Sequence, residues 1–109
     1  MLREMVNLYA ENEVIHAQLK TLEVTAEEWD TGRGGGHFWF DVSGPAADSD
    51  FVVDALADDL DGVVIDIILH SENGLLNWGE WYRVDGSEPV LQWPPSSLRP
   101  HTPAIRSNL

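Results

Sequence analysis

The sequence predicts an α+β domain: an N-terminal helix or helix pair packed on an antiparallel meander of about five or six strands. Three observations carry this. Apolar residues recur at helical spacing through the first 22 residues. Period-two alternation and β-branched runs dominate from Leu22 to Arg83. Turn residues, above all Asn73-Gly74, separate those runs at hairpin distances.

Leu2, Met5, Val6 and Tyr9 form one helical stripe, and Ile15, Leu19 and Leu22 form another. Asn12 lies between them with the chemistry of an N-cap. This reads as a short helix followed by a second over Asn12–Thr21, or as one bent helix. Leu22, Val24 and Ala26, with Trp29 after them, mark a first strand. Thr31 to Gly36 is a glycine-rich turn; no lysine-bearing helix follows it, so it is not a phosphate loop. His37–Val42 is a second strand, with Phe38, Phe40 and Val42 on one face and His37, Trp39 and Asp41 on the other. Phe51–Leu60 fits a helix capped by Asp50 as well as a strand. Val52-Val53 and the turn-like Asp59-Leu60-Asp61-Gly62 favour the strand. Val63–His70 and Leu75–Arg83 flank the Asn73-Gly74 turn, and Pro89–Trp93 reads as a short edge strand ended by Pro94-Pro95. Residues 1–95 thus form one domain, and 96–109 a loosely held tail.

Composition limits the function. Nineteen acidic residues against six basic ones give a formal charge of −13, a field that repels nucleic acid and anionic membranes and attracts a basic partner. The chain has no cysteine, which excludes a disulfide framework, a thiol nucleophile and a thiolate metal site, and fits a cytoplasmic setting. Neither a basic, then apolar, signal segment nor a membrane-length apolar run is evident.

The run Asp61-Gly62-Val63-Val64, then Ile68-Leu69-His70, Asn73-Gly74-Leu75-Leu76 and Glu80-Trp81-Tyr82-Arg83-Val84-Asp85-Gly86 resembles a group of small bacterial proteins that pair an N-terminal helical segment with a meander. The likeness covers residues 59–89, with a weaker match at Leu19 and Leu22. It implies the strand reading of Phe51–Asp58 and no particular activity. In that pattern an aliphatic residue usually precedes the glutamate; here it is Gly79.

A two-residue Asn73-Gly74 turn sets His70 opposite Asn77, Ile68 opposite Gly79, Asp66 opposite Trp81 and Val64 opposite Arg83. One face then carries Asp66, His70, Trp81 and Arg83, and the other Trp78, Glu80 and Tyr82; a bulge at Gly79 would exchange them. Asp66 and His70 on one face invite an acid/base reading. Residues four apart on a strand are about 13 Å apart, however, too far for a direct hydrogen bond. The simpler reading is a sheet face open to water or to a partner. The four histidines (His16, His37, His70, His101) lack zinc-motif spacing, and Asp48–Asp61 lacks the order of a calcium loop. Ser43 is not in a nucleophile elbow, and no dinucleotide or Walker fingerprint occurs. No catalytic residues, cofactor or metal are therefore assigned.

The five tryptophans admit two readings, a core between sheet and helices or an exposed aromatic patch rimmed by acids. The leading expectation is a small non-enzymatic binding domain of immunity or antitoxin type. It would dock a basic protein through Trp39, Asp66, His70, Trp81 and Arg83. The alternatives are a homo-oligomeric accessory domain, such as a homodimer, and a small-molecule or enzymatic role at a helix–sheet cleft around His70 and Glu80.

Overall fold

The computed structural model describes residues 2–30, 35–87, 90–95 and 97–100. Two helices, α1 (Leu2–Leu8) and α2 (Glu13–Lys20), precede six strands: β1 (Glu23–Asp30), β2 (Gly35–Asp41), β3 (Val52–Asp58), β4 (Val64–Glu72), β5 (Leu75–Arg83) and β6 (Arg99–Pro100). The sheet runs β1-β2-β5-β4-β3-β6, antiparallel throughout. A β1–β2 hairpin and a β3–β4–β5 meander are joined where β2 pairs with β5.

Asn12 caps α2 as its side chain suggests, accepting the Ile15 N–H at 3.0 Å. Thr21 closes the helix, and its hydroxyl accepts the Ser43 N–H at 2.8 Å, tying the helix end to the segment after β2. Residues 52–58 are strand: Val53, Ala55 and Ala57 are buried on one face, opposite Leu69, Ile67 and Ile65 of β4. Cross-strand packing decides the ambiguity that local pattern left open.

One sheet face carries the core. Phe38 and Phe40 of β2, the alternating aliphatics of β3 and β4, and Trp81 of β5 meet Met5 of α1 and Leu19 of α2. Val90, Trp93 and Leu98 join them, and the Trp93 indole stacks on Trp81 at 4.1 Å and 8°. The segment after β5 differs from expectation. Residues 90–93 are not an edge strand, and Pro89 lies outside the described residues. Instead the Leu91 and Gln92 N–H groups donate to the Asp59 carboxylate at 2.8 and 3.0 Å. A side chain has replaced the ladder as acceptor, so the segment folds over the core. Residues 97–100, expected in the tail, also belong to the fold. Glu4 accepts the Leu98 N–H at 2.5 Å, and Arg99–Pro100 pair with Leu56 and Ala55. Of the glycine-rich turn expected over Thr31–Gly36, Gly35 and Gly36 instead open β2 and 31–34 lie outside the described residues, as do 96 and 101–109 of the tail.

Candidate functional site

The site follows from the β4–β5 register. Asn73 and Gly74 both have positive φ (56° and 77°), as a tight two-residue hairpin turn requires. Glu72 pairs with Leu75 and Ser71 with Leu76, but His70 then pairs with Trp78, leaving Asn77 as an extra residue. This bulge moves every later pair by one. Asp66 therefore lies opposite Tyr82, Ile67 opposite Trp81 and Ile65 opposite Arg83.

The faces are redistributed accordingly. Asp66 and His70 share a face with Trp39, Trp78, Glu80 and Tyr82. Trp81 and Arg83, expected beside Asp66 and His70, face the core and are 1% and 5% exposed. Arg83 is held within the fold by Asp59 (2.7 Å), Asp61 (2.6 Å) and Ser87 (2.8 Å). Neither residue is placed to meet a partner, and Asp66, though on the helix-free face, is itself buried at 7% exposed. His70 and Glu80 lie on the face away from the helices, not in a helix–sheet cleft.

That helix-free face reads as rows across the strands. Ala26, Trp39, Trp78, His70 and Val52 form the first, largely apolar row. Glu28, His37, Glu80, Ile68 and Asp54 form the second. Gly35, Tyr82, Asp66, Leu56 and Arg99 form the third. The His70 ring stacks on Trp78 at 4.1 Å and 15°, and its Nε2 lies 2.9 Å from Glu80 Oε2. A carboxylate can only accept, so this contact puts a proton on Nε2. The His37 ring lies 6.0 Å from Trp78 and 6.4 Å from Trp39. Tyr82 donates to Asp66 Oδ2 at 3.1 Å; burial, followed by the negative charge of Asp66, pushes its phenol up to about 12.

Beside these rows, an open cleft of about 360 Å³ is bounded by Gly35, Gly36, His37, Glu80, Tyr82 and Val84 among others. Both glycines are dictated by close approach: a Cβ at Gly35 would fall 1.8 Å from the Trp81 carbonyl oxygen, and one at Gly36 2.6 Å from the Trp81 ring. Among the described residues, no group of three or more His, Asp or Glu is arranged to hold a metal ion. No helix among them is long and apolar enough to cross a membrane. The face offers aromatic surfaces and carboxylate acceptors, which suit the recognition of cations.

Sequence reasoning missed two structural polar residues and one contact. Gln18 is fully buried: its Nε2 donates to Pro45 O and Gly74 O, and its Oε1 accepts the Leu76 N–H, each at 2.9 Å. Its place three residues after Ile15 on the apolar helix stripe is the signal that it faces inward. Asp59 sits in an acid-rich run that gives no sign of which carboxylate is buried. The sequence names His70 and Glu80 together, but their direct contact follows only from the bulge, since the unbulged register puts them on opposite faces. Comparison of the chain with protein-family models, with curated proteins and with solved structures returns no match.

Proposed function

We propose that this protein is a small non-enzymatic binding domain that docks a basic protein on the helix-free face of its sheet. The observation that carries the reading is the Trp39–Trp78–His70 stripe, bordered by Glu28, Glu80 and Asp54; Asp66 on the same face is 7% exposed and is bonded to Tyr82. Trp39 is 42% exposed, and indoles at the centre of a charged rim are the usual anchors of protein interfaces. Among the described residues the lysine or arginine on this face is Arg99, engaged with Asp58 at 2.6 Å. Among the described residues the acids of this face outnumber its bases, and a formal charge of −13 steers basic partners toward the molecule. A second copy would set carboxylates against carboxylates, which favours a different partner over self-association. Masking a basic active site, as immunity and antitoxin proteins do, is the form of docking that this charge and size suit. A bacterial, cytoplasmic setting is part of the same proposal; a chain without cysteine suits a reducing compartment.

The test compares the wild-type protein with a Trp39→Ala, Glu80→Lys double variant shown by circular dichroism to be folded. Both are immobilised and exposed to bacterial lysate at low and high salt. The expected result is one basic protein retained by the wild type, weakened by salt, and lost from the variant. Equal retention by both, or retention by neither, overturns the reading.

A further inference from the structure

The two edges of the sheet are treated differently by the chain. At the β3 edge, the Tyr9 hydroxyl accepts the Asp54 N–H at 3.0 Å and donates to its carbonyl at 2.9 Å, and β6 pairs with Ala55 and Leu56. At the β1 edge, no described segment pairs, and residues 23–28 are all exposed. An open edge is a template for another strand, through backbone groups that any sequence can satisfy. Charge decides which strand. β1 carries Glu23, Glu27 and Glu28, so pairing with a second copy brings like charges into one ladder. A strand bearing lysine or arginine meets opposite charges.

We infer that the β1 edge takes an extended basic segment of a protein partner as an additional strand. The inference rests on the docking reading for the partner's charge, but uses a different surface. The register specifies a pattern. A partner residue beside Glu28 continues the row Glu28–His37–Glu80, and calls for a cation. Two positions along, a residue beside Ala26 lies on the same face. Ala26 presents only a methyl group, so a long cationic side chain there reaches over it to the exposed Trp39 indole. Basic residues at alternate positions are therefore the recognised feature.

The test titrates a short peptide of alternating arginine and threonine into the isotope-labelled full-length protein at low salt. Nuclear magnetic resonance and amide exchange provide the readout. Strand addition predicts increased protection of the amides from Val24 to Glu28 and a shift of the Trp39 indole. A second peptide of the same sequence, N-methylated at the residues whose N–H would face β1, keeps the charge and loses the donors. It should bind about tenfold more weakly or worse. Equal binding of the two peptides overturns strand addition and leaves charge-driven docking on the sheet face intact. Binding of neither overturns it as well, with the face reading still answered by its own lysate comparison. Concentration-dependent protection of β1 without peptide would assign the edge to a second copy and also overturn the proposal.

Discussion

Asp59 is a carboxylate almost shut off from water, and burial alone would push its carboxyl up. The amides of Leu91 and Leu60, the Arg83 guanidinium and the Gln92 amide outweigh burial and hold it below the usual range. Asp61 is lowered chiefly by its bond to Arg83, and Asp85 by the Ser87 hydroxyl. A carboxyl lowered on folding stabilises the native state above its unfolded value of about 4, and that contribution is lost as pH falls through the folded value. Urea midpoints should therefore hold from neutrality to about pH 4 and fall below it, and Asp59→Asn should flatten that acid limb. Gln18 presents the neutral version of the same problem. Gln18→Leu strands the Leu76 N–H and removes one donor from the Gly74 carbonyl, which keeps the Ala47 N–H, and from the carbonyl of the exposed Pro45. A loss of about 1–3 kcal/mol in urea unfolding is expected. A smaller loss would show that water replaces the amide.

At the scale of elements, the β4–β5 hairpin shows what sequence can and cannot specify. Asn73-Gly74 announced the turn, and α2 with its Asn12 cap, the β2 faces and the Val-Ile run of β4 were all legible, because each depends on neighbours in sequence. The bulge at Asn77 was not, because its cause is distributed across three strands. Gly79 marks the place. A Cβ there would lie 2.7 Å from the Phe38 ring and 2.8 Å from Leu69 Cδ2, so the gap across β2, β5 and β4 is already filled from both sides. Only a register that brings Gly79 to the core satisfies this packing, and that register turns Trp81 and Arg83 inward. It also leaves Trp39, Asp66 and His70 together on the open face. Of the residues singled out from sequence, those three share a surface, joined by Glu80 and Trp78. Gly79→Val should lower stability by about 1–3 kcal/mol through overpacking, measured by thermal or urea unfolding. An unchanged midpoint would mean that β2 and β4 can part without cost.

Over the whole molecule, acidity and fold act against each other. Nineteen carboxylates with six basic residues repel one another most strongly in the compact state. Arg83 and Arg99 are engaged in ion pairs of the fold itself. Added salt screens that repulsion, so the urea midpoint at neutral pH should rise between low and moderate sodium chloride. A falling midpoint would mean that the internal ion pairs outweigh the repulsion. The α+β class was legible at this scale because composition and periodicity are properties of the whole chain. The path of the C-terminal segment was not, since it depends on Asp59 and on the Trp81 ring. That ring has one more consequence. Two indoles lying nearly parallel at 4.1 Å couple their electronic transitions, so light is absorbed by the pair of Trp81 and Trp93 rather than by either alone. The near-ultraviolet spectrum of the pair is thus an optical signature that reports whether the C-terminal segment is seated on the sheet.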